Sequence, residues 1–308
     1  MTRSFSLLVN PASGGGAAPD AVVPVAGALR AAGASVEVTY SPGPAAIGQL
    51  VHEAVGRGDV VVSVGGDGML SGVVGPVAEA GGTLGIVPAG RGNDFARMLG
   101  IYADQPTDPA ALARVLLEAP VSRVDLLEVV SPAGRRVVAG SVYAGVDARA
   151  AAYVDAMKHT PRPLQYPIAA VRALLTYTPA HYRVVMDGEA HEFDAATVVV
   201  ANSGYYGNGM LIAPDARVED GLLDVVVIEA ASKRMLVRSL PKVYDGAHVA
   251  LPEVTLLRGS RVELSASAAR AVPVGGDGEP LGELGEAASD GTGAWQVSVQ
   301  PGALAVLK

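Results

Sequence analysis

The sequence predicts an α/β domain with a parallel sheet, followed by an antiparallel β-sandwich domain. Three observations predict it. Apolar runs alternate with helical stretches through the first third of the chain. After "VDLLEVV" the pattern changes to short, evenly spaced strands with hairpin signals. Glycine-rich loops fall where the early strands end. The 308 residues suffice for two ordinary domains, and 50% of them are hydrophobic, so a sizeable core can be buried.

Phe5–Val9 is a short apolar run followed by the loop "NPASGGG". Ala21–Ala32 has helical periodicity and stops at Gly33, and Ser35–Tyr40 reads as a strand. Ile47–Val55 is helical, Asp59–Val64 is a valine-rich strand, and "GGDG" follows. Met69–Ala80 is a helix closed by Gly81-Gly82, and Thr83–Val87 is a strand that enters "PAGRGND". Asp108–Glu118 is helical and Val121–Val130 is a strand. This βαβα order implies a parallel sheet with helices on both faces.

Arg135–Val146 is strand-like, and 147–178 is mixed and partly helical. Then come "RVVMDGEAHEF", "ATVVVANSG", "LLDVVVIEA", "EVTLLRG", "SRVELSA", "ARAVPVGGDGE" and "AWQVSVQPGALAVL", the strands of a sandwich or barrel. The expected boundary lies after Leu126, giving domains 1–126 and 127–308.

Composition excludes several functions. The formal net charge of −8 argues against broad nucleic-acid binding, which needs many cations. With no cysteine there is no disulfide, thiolate zinc site or cysteine nucleophile, and a cytosolic protein is the simpler reading. The first apolar stretch breaks at Asn10-Pro11, too early for a signal peptide, and no run is long enough to span a membrane. His52, His159, His181, His191 and His248 never pair at i, i+4, which makes a histidine metal site unexpected.

In open parallel sheets, ligands bind beyond the carboxyl ends of the strands. "NPASGGG" (10–16), "GGDG" (65–68) and "AGRGND" (89–94) all leave strands there. Glycine lets backbone N–H groups approach an anion, and a following helix N-terminus adds partial positive charge. A carboxylate in such a loop repels phosphate unless it holds a cation or accepts a proton. Asp67 therefore points to Mg²⁺-nucleotide chemistry. The alternative is an ordinary Gly-Asp-Gly turn. The pattern is neither a Walker A loop nor GxGxxG.

"NPASGGG", "VGGDGML", "PAGRGNDFAR", "VDLLEV", "NSGYYGNGMLIAPDARVEDGLLDVVVI" and "GGDGEP" occur in this order along nearly the whole chain. The set resembles the bacterial diacylglycerol kinase family of lipid kinases, which also holds sphingosine and ceramide kinases. The resemblance implies an N-terminal α/β domain, a C-terminal β-sandwich and an ATP site in the interdomain cleft. It implies ATP- and Mg²⁺-dependent phosphorylation of a lipid hydroxyl, diacylglycerol to phosphatidic acid first among them. The partner would be lipid at the inner face of a membrane, held peripherally, and a homodimer stays open.

By resemblance, Asn10, Pro11, Ala12, Ser13 and Gly14 line the ATP with Gly65, Gly66, Asp67, Gly68, Met69 and Leu70. Ser41 matches a Ser/Thr position that touches nucleotide, and Arg91 and Asn93 belong to the third loop. Asp94 and Asp125 would join Asp67 in a water-linked acidic network around Mg²⁺. A helix N-cap is the other reading of Asp94, and a solvated strand-end acid that of Asp125. The side chain of Asp220, with the carbonyls of Arg217 and Leu222, matches a structural Mg²⁺ site; an acidic turn is the alternative.

Two "DGE" triplets occur. Asp187-Gly188-Glu189 reads as a hairpin turn. Asp277-Gly278-Glu279 matches the catalytic triplet of the family, in which a carboxylate orients the alcohol and takes its proton; a plain turn is the alternative. Several positions depart from the pattern. Met69, Ser71 and Gly72 stand where the family has Thr and Asn-Glu, Gly14-Gly15-Gly16 lacks a lysine, and Arg91 replaces Thr, where it could pair with a phosphate. Cations concentrate in 149–183 and 232–244, surfaces suited to anionic lipid or simply to solvent. The competing readings are an NAD kinase-like soluble kinase, which shares a GGDG loop, and a lipid-binding protein that has lost catalysis.

Overall fold

The computed structural model describes residues 3–11, 13, 17–90, 92–101, 108–157, 160–287 and 293–308. Ala12, Gly14, Arg91 and Lys158 lie outside the described residues. The chain forms two compact units, Met1–Leu126 with Pro301–Lys308, and Leu127–Gln300.

The first unit runs β1 (Ser4–Val9), α1 (Ala17–Ala31), β2 (Ser35–Tyr40), α2 (Pro44–Gly56), β3 (Val60–Gly65), α3 (Asp67–Glu79), β4 (Thr83–Pro88), α4 (Asp94–Met98) and α5 (Pro109–Glu118), and then enters β5 (Val121–Ser131). β2, β1, β3 and β4 are neighbours in that order, and all are parallel. Leu7, Val62, Val64, Leu84 and Val87 are buried, so these strands read as continuous apolar runs. Each such side chain contributes roughly 1.5–3 kcal/mol by leaving water. Pro44 opens α2 and Pro109 opens α5, where a missing N–H costs nothing; Asp108 caps α5 by accepting from the Ala110 N–H at 3.0 Å.

The second unit adds β6 (Gly134–Val138), β7 (Ser141–Gly145), α6 (Val146–Ala156), α7 (Arg162–Thr176), β8 (Ala180–Met186) and β9 (Glu189–Ala201). It continues through β10 (Tyr205–Tyr206), β11 (Met210–Leu211), β12 (Leu223–Glu229), α8 (Lys233–Tyr244) and a short 3₁₀ helix, Ala247–Ala250. It closes with β13 (Val254–Gly259), β14 (Arg261–Ser267), β15 (Val272–Gly276), β16 (Glu279–Leu284) and β17 (Trp295–Leu307). The pairs β8–β9, β14–β8, β7–β9, β15–β7 and β15–β16 are antiparallel. β8 shows the alternation cleanly: Ala180, Tyr182, Val184 and Met186 are buried, and His181 and Arg183 face water.

Two features differ from the sequence reading. Pro301–Lys308 belongs to the first unit, because Ala305 and Val306 run parallel to Thr83 and Leu84 of β4. The stretch 147–178, expected to be helical in part, resolves into two helices, and the cationic stretch 233–244 is a third.

Candidate functional site

In the first unit the loops after β1, β2, β3 and β4 share one sheet edge. The Asn10 N–H donates to Val64 O at 3.3 Å and the Ser41 N–H to Val9 O at 2.8 Å, which seats the first two loops. The Ser41 hydroxyl closes a turn on Gly43, donating to its carbonyl at 3.2 Å. The bare backbone has a definite reason. A Cβ on Gly90 would lie 2.2 Å from the Gly66 Cα, and one on Gly66 would lie 2.9 Å from the Gly90 Cα. The GGDG and GRGND loops therefore lie backbone against backbone. A Cβ on Gly65 would meet Ser13 Oγ at 3.0 Å, so the NPAS loop joins them.

Asp67 is the first residue of α3, and its Oδ1 accepts from the Asp94 N–H at 2.7 Å. Burial pushes its carboxyl above the usual carboxylate range, and backbone donors of Asp94, Asn93 and Phe95 pull it back. Asn93 sits at φ 48 and brackets Gly90, accepting from its N–H at 2.9 Å and donating to its carbonyl at 3.1 Å. Asp94 opens α4, and Asn93 is the cap. Asp125 is buried and accepts from the Gly302 N–H at 2.7 Å, which ties down the returning C-terminal strand. Among the described residues no three acids or histidines converge to hold an ion, so Asp67 and Asp94 meet without Asp125 in such a cluster.

Met69 is buried under Gly65, where a thioether suits the core and a hydroxyl would not. At Gly72 an added Cβ would stand 3.1 Å from Ile47 Cδ1, the end of a flexible side chain on α2, which would have to shift by a few tenths of an ångström.

The two DGE triplets are built alike. Asp187 and Asp277 both sit at φ 47, each followed by a glycine at positive φ, the backbone of a tight hairpin turn. Asp187 accepts from the Ser260 and Arg261 N–H groups, which hold its carboxyl below the usual range. Asp277 Oδ2 accepts from Ala139 N–H at 2.7 Å, and Oδ1 from Gly140 and Ser141 N–H at 2.9 and 3.0 Å. Both oxygens of Asp277 thus clamp the start of β7. Glu279 is exposed, and its side chain makes no hydrogen bond among the described residues. The Gly278 N–H donates to the Tyr143 hydroxyl at 3.1 Å.

Tyr143 also lines a cavity of ≈ 80 Å³ walled by α6, α7, α8 and the strands β9 and β12. Its walls are mostly apolar, with Val146, Leu174, Met210, Ile228, Leu236 and Leu240 among them. Polar groups also stand in this wall, Asp147 and the buried Thr197 and His248 among them. Thr197 Oγ1 lies 2.7 Å from Asp147 Oδ2 and 2.9 Å from Ala144 O. The Thr197 hydroxyl donates to both oxygens, sharing its proton in a three-centre contact. Burial raises the Asp147 carboxyl above the usual range, against hydrogen bonds from Thr197 and Tyr206 and the charge of nearby His248.

Asp220 accepts from the Leu222 N–H at 3.0 Å and pairs with Arg258, which also reaches Asp224 at 3.5 Å. Burial raises the Asp224 carboxyl; Arg258 opposes this and Asp220 and Asp215 add to it. The oxygen donors suit Mg²⁺ in kind, but Arg258 holds the carboxylate, so an ion there must displace the guanidinium.

The diacylglycerol kinase catalytic domain matches residues 4–129, and the YegS C-terminal NAD kinase beta sandwich-like domain matches residues 140–308. The chain belongs to the diacylglycerol kinase family. It is 33% identical over 261 residues to a diacylglycerol kinase of Mycobacterium tuberculosis, covering 83% of each chain. It is 29% identical to a protein of Stenotrophomonas maltophilia named as a YegS-like lipid kinase, covering 91% of each. A solved diacylglycerol kinase from Bacillus anthracis shares the fold, with a TM-score of 0.70 at 18% identity, over 99% of this chain and 97% of that one.

Membership makes the chain a lipid kinase with a catalytic α/β unit and a sandwich unit. Within this kinase, sequence reasoning missed Tyr143, Asp147, Thr197 and Tyr206. The available signal was "VYAGVDARA", a lone acid placed directly after an apolar strand.

Proposed function

We propose that the protein transfers the γ-phosphoryl of ATP, as its Mg²⁺ complex, to the free hydroxyl of diacylglycerol, giving phosphatidic acid. The observation that carries the acceptor class is Tyr143, which lines the apolar cavity and bonds the DGE turn. A cavity with such walls suits an acyl chain, and the adjoining turn presents a carboxylate. A soluble dinucleotide acceptor has no use for those walls.

The roles divide by geometry. Glu279, with no competing bond, takes the proton of the acceptor hydroxyl. Asp277 fixes the turn that presents it. The glycine loops of the first unit, with the start of α3, offer N–H groups to the phosphates. Bound Mg²⁺ would neutralise phosphate charge; it needs only one or two protein carboxylates besides phosphate oxygens, and Asp67 is first among them. Asp94 and Asp125 reach the ion only through water. Arg91 pairs with phosphate in this reading, and the enzyme works peripherally at a membrane. No helix among the described residues is long and apolar enough to cross one.

The test is ATP consumption with diacylglycerol, sphingosine, phosphatidylglycerol or NAD as acceptor, with and without Mg²⁺. Mg²⁺-dependent consumption that needs diacylglycerol supports the reading. Consumption that needs NAD, or none with any acceptor, removes it.

A further inference from the structure

α7 carries two apolar faces. Gln165, Ala169 and Ala173 point inward and are buried. Leu164, Ile168, Val171 and Leu175, at i, i+4, i+7 and i+11, occupy the opposite face. Leu164, Ile168 and Leu175 are exposed by 51%, 44% and 54%. Large apolar side chains gathered on one outward face mark a docking surface rather than scattered exposure. α7 contains no acid.

α8 packs against α7, and Lys233 Nζ donates to Leu175 O at 2.7 Å. Arg234, Arg238 and Lys242 follow one another at i, i+4 and i+8, exposed, with no acid in the helix and no ion pair among the described residues. An unpaired cation row is unexpected on a chain of net charge −8. Ala170 and Leu174 of α7 and Leu236 and Leu240 of α8 line the cavity.

We propose that the outward face of α7 inserts into an anionic lipid bilayer, with the cation row of α8 supplying the electrostatic attraction. The inference rests on the lipid-kinase reading and names the surface through which that site meets its substrate. A bilayer fits both features at once, since apolar side chains enter the acyl boundary and cations stay at the headgroups. A second copy of the chain fits worse. A two-fold contact through this face would bring two cation rows toward each other.

The experiment is co-sedimentation with vesicles of phosphatidylcholine, with and without phosphatidylglycerol, alongside turnover on monodisperse short-chain diacylglycerol. Wild type should bind the anionic vesicles and lose binding with salt. Ile168→Asp should weaken binding by about tenfold or more, since Ile168 no longer enters the acyl boundary. Arg234→Ala, Arg238→Ala and Lys242→Ala should each weaken it by up to about fivefold. Ile168→Asp should keep the wild-type melting temperature and short-chain turnover; Leu164→Ser serves should it fail to fold. Wild-type binding by these variants overturns the inference, as does equal binding to neutral vesicles, or a change of oligomeric state in place of lost binding. Vesicle binding without turnover on any lipid keeps this inference and removes the kinase reading instead.

Discussion

The Tyr143 hydroxyl accepts a hydrogen bond from the Gly278 N–H at 3.1 Å, so one side chain both bounds the apolar cavity and steadies the turn between Asp277 and Glu279. Burial pushes the Tyr143 hydroxyl far above its usual value, so it stays protonated and keeps a proton to donate at any working pH. The chemistry assigned to the second unit depends on this bridge.

Glu279→Gln should fold as wild type, bind ATP and lipid, and lose turnover by roughly 10²–10⁴-fold, the range for a general base. Asp277→Asn should lose thermal stability as well as turnover, because three backbone donors lose a charged acceptor. Asp187→Asn removes the same clamp from the other hairpin, so it should cost stability and leave kcat near wild type. Steady-state kinetics beside thermal melts separate the three; a Glu279→Gln enzyme with more than about a tenth of wild-type kcat removes Glu279 as the base.

Gly90→Ala forces a Cβ to within 2.2 Å of the Gly66 Cα, and neither backbone can yield cheaply. It should cost about 1–3 kcal/mol of stability and raise the KM for ATP. Gly27→Ala, in α1 with no atom within 4 Å of the added carbon, is the control and should be neutral or stabilising by about 0.5–1 kcal/mol. Equal effects at the two glycines would show that the loop contact has no special role.

Asp147 sets a pH dependence. Burial raises its carboxyl in the folded state above the ordinary 3.8 of the unfolded chain. As pH rises through the window between these two values, the unfolded chain releases this proton while the folded chain keeps it. Stability therefore falls with rising pH across that window and does not recover above it. Asp147→Asn has no such proton, so the variant should gain on wild type as pH rises. Denaturant midpoints over a pH series check this; a constant difference between the two proteins contradicts a raised Asp147 carboxyl.

Arg258 pairs with Asp220, so Mg²⁺ binding at that carboxylate would have to displace the guanidinium. Adding Mg²⁺ should leave the melting temperature of Asp220→Ala unchanged. It should stabilise Arg258→Ala at lower concentration than wild type, since binding to the folded state alone raises stability. Equal Mg²⁺ stabilisation of wild type and Asp220→Ala would place the ion elsewhere.

The alternation of apolar runs and helices made the parallel sheet legible, because strands buried on both faces must be apolar throughout. The turns at Asp187 and Asp277 were legible as well, since Asp-Gly at positive φ has few other uses. The return of Pro301–Lys308 to β4 was not, because pairing distant segments leaves no local mark. Nor was the difference between Asp277 and Glu279. Two acids two residues apart look equivalent until their donors are known, and the donors of Asp277 lie at 139–141. The hydrogen-bond and ion-pair partners of Asp125 and Asp220 were not legible either, because Gly302 and Arg258 lie far along the chain.

The most direct measurement traces label from ATP carrying a radioactive γ-phosphate when diacylglycerol and NAD are offered together with Mg²⁺. The account predicts label in phosphatidic acid with wild type, none in NADP, and almost none in either with Glu279→Gln. Label in NADP, or undiminished phosphatidic acid from Glu279→Gln, would contradict it.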